Sequence, residues 1–460
     1  MAGLISSLQN SSAALRVHSK GLEITGKNLA NVNNRGYSKE RVEIGDRGQI
    51  NTGVATESMG VEAMGLRQNR DALLDKSVMR ELTATADLEA SQKVLTSAET
   101  ALGQFLDRTK DSTSIQNATG ASGGAIGDAL TDFFNSWESV SVKSQDVGEK
   151  QLLLEKAKIL AEKLNQTDKR LAQVQTDVDA QIQTDVGTVN QLLAEIAKTN
   201  DYIAKAELVK PYSAVDLRDQ RQAKLEELSK YIDIQFENIT DGLGQIKVTS
   251  GDVVLVDGKD VPGQLSFVDD STSADFRTFK LGGNPFVPAN GKLAAQLESS
   301  TGTVQNARNE IAALKTNLKN EVNSAYTPAA FFAVDSTTGN ISVSVTSISA
   351  GSSGSNQIAL NVAALGTKTF TALGSSTFNS YFNKTVTTVA QQLNSTNTRL
   401  EDQKLSEEMA INARDQYSGV SQDEEISDMM KFQRSFQASA RHINVIDSLL
   451  EQVVNRLGVG

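Results

Sequence analysis

Cysteine is absent from all 460 residues. Disulfides, thiolate nucleophiles and Cys-ligated zinc or iron–sulfur centres are therefore excluded. Histidine is nearly absent too: His18 and His442 are the whole supply, so a His-based triad has almost no raw material. Two imidazoles alone make a poor metal site, and both read as seam or flank residues of helices. Aromatics are 5% of the chain, which is little for a ligand-gripping pocket. Positive charge is in deficit, with 45 Lys+Arg against 56 Asp+Glu and a net charge of −11. That balance argues against nucleic-acid binding through counterion release. No run approaches the roughly 18 apolar residues of a membrane span, so no membrane insertion is expected. The first residues, MAGLISSLQNSSAALRVHSKG, lack a charged start followed by an apolar block, so no cleavable secretory signal is expected. Counting leaves a carboxylate-only enzyme open. The absences as a group point away from enzymes, cofactors and metals, and towards a structural or interaction protein.

Proline is scarce and unevenly placed. Its five copies, Pro211, Pro262, Pro285, Pro288 and Pro328, all lie between 211 and 328. Proline removes a backbone donor and clashes with the preceding turn, so the proline-free flanks suit long helices. At the N-terminal end, Leu8, Leu15, Leu22 and Leu29 recur every seven residues, extended by Leu4 and Val32. The helix so predicted over 4–33 contains Gly21 and Gly26, each costing about 1 kcal/mol relative to Ala. It should need a partner to form. Long helices are also predicted from Arg67 to Phe105, over 128–208, over 293–322 and from Tyr381 to Tyr417, with a loop at 119–127. The lone tryptophan, Trp137, follows Phe133 and Phe134 and reads as bundle core.

Around residue 231 the period changes. Ile232, Ile234 and Phe236 alternate with Asp233, Gln235 and Glu237, and Asp241-Gly242 and Asp257-Gly258 are hairpin-turn dipeptides. A β-meander over 231–290 follows. Its aspartates, Asp252, Asp257, Asp260, Asp269 and Asp270, are explained by turns and solvation. Residues 331–380 are poor in charge and read as a short strand with a flexible loop at Ser349–Ser355.

The C-terminal helix is the clearest element. Ser421 stands three residues before Glu424, a capping-box pattern in which Asp423-Glu424-Glu425 form an acidic first turn. Met429, Phe436, Ile443, Leu450 and Leu457 recur every seven residues, with Phe432, Ile446 and Val453 between them and Ile426 before them. Such a seam must meet another helix. The economical geometry pairs the two end helices and loops the rest out as a body. The residual surface is then covered by lateral association, which makes these end-helix residues the expected assembly interface. The fold class expected is mainly α with a smaller β-rich part. A terminal coiled-coil domain (1–36 with 418–460) joins a helical-bundle domain (37–230, 291–330 and 381–417), which carries the inserted meander.

Three motif stretches and one long helical stretch also carry a family resemblance. NLANVNNRGYSKERV (Asn28–Val42), with Asn28-Leu29-Ala30-Asn31 through Gly36-Tyr37, resembles the N-terminal signature of flagellar axial proteins. The segment Ser418–Gly458 resembles their C-terminal signature. Ser418-Gly419-Val420 with Asp423-Glu424-Glu425, Ala214–Ile234 (AVDLRDQRQAKLEELSKYIDI) and the helical stretch Phe133–Ala204 are similar to the hook-associated protein 1 family. Val215, Arg218 and Gln222 depart from its usual pattern. The resemblance implies a secreted, extracellular structural protein at the hook–filament junction, exported by the flagellar type III apparatus after a cytoplasmic stage. Implied partners are its own copies in a ring, hook protein, hook-associated protein 3, and an export chaperone at Met429–Leu457. The end helices are expected to be mobile in the monomer and ordered only in the assembly, because the N-terminal one contains two glycines and a polar seam. Family members often carry an extra β-domain, which would be inserted near Val334–Gln357; that stretch is short here, so the outer domain is expected to be absent or rudimentary. The alternatives are another axial protein, of hook or rod, and a carboxylate-based hydrolase.

Overall fold

A computed structural model describes residues 2–457 apart from 35, 52–55, 104–125, 209–212, 241–242, 270–276 and 352–354. Most of the loop expected at 119–127, the Asp241-Gly242 turn, Asp270 and the side chain of Leu457 lie outside the described residues.

The chain opens with α1 (Ala2–Ala30) and closes with α10 (Gln422–Leu457), and these two helices pack lengthwise. Ser11 meets His442, Gly21 meets Phe432 and Asn28 meets Glu425. The partners run in opposite order along the two helices, so the pair is antiparallel. At about 1.5 Å per residue, α10 is roughly 54 Å long.

After α1 comes a segment in which no strands were expected. β1 (Glu40–Asp46) pairs antiparallel with β4 (Val61–Gln68), and β2 (Gln49–Asn51) pairs with β3 (Thr56–Ser58). Val42 and Ile44 alternate with Arg41 and Glu43, a two-residue period beside the helical one. This ribbon packs mainly on α1, and β4 also meets the helix Val215–Tyr231 of the body.

The body is built on α2 (Ala72–Leu102), α3 (Ile126–Val142), α4 (Val147–Glu207) and α5 (Val215–Tyr231). Asp71 and Asp146 cap α2 and α4, each carboxylate accepting first-turn N–H groups. Gly103, at φ 74°, closes α2 in the left-handed conformation. Free of proline, α4 runs for 61 residues and buries Leu160, Leu164, Leu171, Val178, Ile182, Val189, Ile196 and Ile203 along one face.

The meander forms two small antiparallel sheets on α4. One is β5 (Gln235–Asn238), β6 (Ile246–Ser250) and β7 (Val253–Asp257); the other is β8 (Leu265–Asp269), β9 (Arg277–Leu281) and β10 (Asn284–Phe286). Ile246 and Val248 are buried while Lys247 and Thr249 between them are half-buried, which is the expected alternation. Two α4 amides hold the sheets: Asn200 Nδ2 donates to the carbonyls of Ile246 and Gly258, and Asn190 bonds both backbone groups of Leu265.

Next come α6 (Lys292–Ser299), a π turn and α7 (Gln305–Ala325). In residues 331–380 the short strand expected at Ile341 and Val343 is present, and part of the loop expected at Ser349–Ser355 lies outside the described residues. β11 (Phe332–Val334), β12 (Ile341–Val343) and α8 (Gln357–Ala363) fold onto the bundle. Phe331 and Phe332 meet Phe133, and Phe331 also meets Trp137. The buried residues of this stretch, among them Phe331, Phe332, Ile341 and Phe378, join the bundle core, while most of the others are exposed or half-buried. Finally α9 (Phe378–Ser418) lies along α2 and returns the chain to α10.

Candidate functional site: the terminal helix pair and its joint with the body

Along α10 the expected seam faces α1. Ile446 is buried, and Met429, Phe432, Phe436, Ile443, Leu450 and Val453 are half-buried. Ile426 lies outside the seam and is exposed, as are Met430, Val445, Leu449 and Val454.

The matching face of α1 differs from the leucine heptad. Ala13, Val17, Gly21, Ile24 and Asn28 form the inner face, whereas Leu4, Leu8, Leu15, Leu22 and Leu29 are half-buried on the flanks and Val32 lies in the turn after the helix. The reason is steric. α10 brings phenylalanines to the seam, so α1 must offer small residues for the axes to approach. The ring of Phe432 occupies the space where Gly21 lacks a side chain. Larger α1 side chains are displaced to the sides. The two histidines have separate surroundings: Ser11 Oγ hydrogen-bonds His442 Nδ1 at 2.7 Å, and the half-buried His18 ring stands 6.4 Å from that of Phe432. Burial lowers the His18 pKa.

At the end of the pair nearest the body, a polar network gathers the three motif stretches. Asn28 Nδ2 donates to Glu425 Oε2 and to the Glu40 carbonyl, both at 2.9 Å. Its Oδ1 accepts from the Tyr37 hydroxyl at 2.7 Å and the Glu40 N–H at 3.0 Å. All four residues are buried. Lys39, 4% exposed at its side chain, reaches Glu424 and Glu425 at 2.8 Å each. Lys27 joins Glu40 to Asp216 at the start of α5. Asp219, one turn on, accepts from Gln68 Nε2 at 2.7 Å and faces Arg70 at 3.3 Å. The Lys39 N–H donates to the Ser418 carbonyl, and its own carbonyl accepts from Asn69.

The acidic first turn of α10 therefore does more than favour a helix start. Glu424 is engaged by Lys39 instead of turning back to complete a capping box, and Ser421 supplies its carbonyl to the Glu425 N–H. Sequence patterning did not isolate Asn28, Tyr37, Lys39 and Glu40, because a polar joint has no period; a motif rich in Asn, Gly and Tyr beside a helix end was the only signal.

Burial dominates the electrostatics here. It pushes the Asp219 carboxyl up to about 6, against the opposing pull of Arg70. The Glu40 carboxyl is also raised by burial, although Lys27 draws it down. Among the described residues no group of three or more His, Cys, Asp or Glu could hold a metal ion, and no described helix is long and apolar enough to cross a membrane. What the arrangement does is mechanical: it clamps both ends of the chain to one point of the body.

Comparison with known proteins bears on this joint. Residues 112–330 match the family model of the flagellar hook-associated protein FlgK helical domain, and residues 414–457 match that of the flagellar basal body rod FlgEFG protein C-terminal region. Flagellar hook-associated protein 1 of Bacillus subtilis is 24% identical, covering 98% of this chain and 98% of its own length. The Escherichia coli protein of that name is 21% identical over 53% of this chain, and the Salmonella typhimurium one 22% identical over 55%. Those two alignments span 42% of each relative. A solved structure of the flagellar hook junction protein FlgK from Burkholderia pseudomallei aligns with TM-score 0.48 at 20% identity, covering 56% of this chain and 47% of that one.

Proposed function

The chain belongs to the flagellar hook-associated protein 1 family, and on that premise we propose that it is a structural component, not an enzyme, at the junction between flagellar hook and filament. The observation that carries this reading is the antiparallel α1–α10 pair. Its seam is satisfied within the chain, yet α10 still exposes Ile426, Met430, Val445, Leu449 and Val454. Exposed apolar residues near the two ends of a long helix offer surfaces for association. Neighbouring copies in a ring would cover them, together with the half-buried leucines of α1. The end towards hook protein and the end towards hook-associated protein 3 would use the same rods.

In the cytoplasm the same exposed residues invite premature association, so an export chaperone would cover α10 between Met429 and Leu457 until secretion to the extracellular flagellum. The match over 112–330 favours this reading over a hook or rod protein, because the terminal signature alone is common to axial proteins. Deleting the gene tests it. Cells with intact hooks that release unpolymerised filament subunits are expected; cells without hooks would contradict the reading.

A further inference from the structure

Away from the rods, Arg67, Arg70, Arg218 and Arg221 line a cavity of about 520 Å³ between β4, the start of α2, α5 and the β5–β6 hairpin. Two of these charges are spent. Arg70 faces Asp219 at 3.3 Å and Asp75 at 3.6 Å, and Arg218 grips both oxygens of Glu207 at 2.9 Å. Arg221 is different. It is 6% exposed, and the partners of its Nη1 are neutral: the side-chain oxygen of Asn200 and the carbonyl of Gly244, each at 2.8 Å. Neither Arg221 nor the exposed Arg67 has an ion pair among the described residues. Glu207, itself held by Arg218, offsets only part of the cost of burying this guanidinium. Burial, reinforced by Arg218, pulls the Arg221 pKa down to about 9.

We propose that this cavity is an oxyanion socket, in which Arg221 at the wall and Arg67 at the rim clasp a carboxylate or similar anion. Planar guanidinium forks match that geometry. Two acids also line the cavity, Asp75 and the exposed Glu43. The Asp75 Oδ1 is buried with no hydrogen-bond partner, while its Oδ2 faces Arg70 and burial raises its pKa. The oxyanion has two possible sources: a free small anion, or an acidic side chain of a second copy. The second source rests on the assembly reading above; the first does not.

The test uses the full-length chain with malonate and sulfate as probes, at ionic strength held constant with sodium chloride. Thermal midpoints are followed for wild type, Arg221→Gln and Arg67→Gln. Arg67→Gln changes an exposed residue, so it reports even if Arg221→Gln fails to fold. A saturable rise with malonate or sulfate in wild type, with affinity about tenfold weaker in Arg67→Gln, assigns a free anion. A monomer indifferent to both probes, with assembly about tenfold weaker in Arg67→Gln, assigns a side chain of the neighbouring copy. Identical behaviour of wild type and Arg67→Gln in both assays overturns the proposal.

Discussion

The ring of Phe432 lies against the Cα of Gly21, so close that a Cβ built there would stand 2.7 Å from it. One glycine therefore sets the spacing of the terminal helix pair. Alanine at this site would gain about 1 kcal/mol of helix propensity. Displacing a seam phenylalanine costs about 1–3 kcal/mol. Gly21→Ala is expected to loosen the pair, and Gly21→Ala combined with Phe432→Leu to recover it. Hydrogen exchange along α1 reads both; slower exchange in the single variant would refute the spacing role. In wild type, α1 should exchange faster than α4, whose face is buried in the body.

How much of this was legible in the sequence depends on the kind of residue involved. The α10 seam was readable because Met429, Phe432, Phe436 and Ile443 are large and periodic. The α1 face was not, because it is made of small and polar residues such as Ala13, Gly21 and Asn28, whose role depends on what comes against them. The heptad of leucines drew the eye to a flank. In residues 331–380 the strand at Ile341 and Val343 was readable from its alternation, whereas the burial of Phe331 and Phe332 is visible only once Phe133 and Trp137 are beside them. The joint itself, from Asn28 to Glu425, spans 397 positions and has no local pattern at all.

Asn28 holds four hydrogen bonds inside that joint. Asn28→Ala would leave the Tyr37 hydroxyl and the Glu425 carboxylate short of partners in a buried site. Each unsatisfied buried group costs about 1–3 kcal/mol. The loss should fall on the joint, as faster exchange of β1 amides, while the Trp137 emission of the body stays unchanged. A body that melts with the joint would contradict the division of labour.

The pH dependence of the joint follows from Asp219. Its folded pKa, about 6, lies above the ordinary value of 3.8. A raised carboxyl pKa means that the folded state binds the proton more tightly. The stabilisation is complete below the unfolded value and is lost as pH rises through about 6. Glu40, also raised by burial, contributes in the same sense. Exchange protection at the joint is expected to fall between about pH 4 and pH 6 in wild type and to fall less in Asp219→Asn. Equal slopes in the two proteins would remove Asp219 as the cause.

Inside the seam, Ile446 is 3% exposed. Ile446→Asp would bury a charge without a partner, so the variant is expected to lose α1–α10 pairing at a cost of several kcal/mol, on the order of 3 or more. The bundle should keep its thermal transition and its buried Trp137 emission. Loss of the near-ultraviolet circular dichroism of the aromatic cluster would show instead that rods and body fold as one unit.

The association surface is tested most directly on the exposed residues of α10, where a substitution leaves the monomer's own seam intact. Val445 and Leu449 are 57% and 43% exposed. With Val445→Asp and Leu449→Asp together, the account predicts an unchanged monomer melting curve and no incorporation at hook ends, as seen by electron microscopy. Full incorporation of that double variant would contradict it.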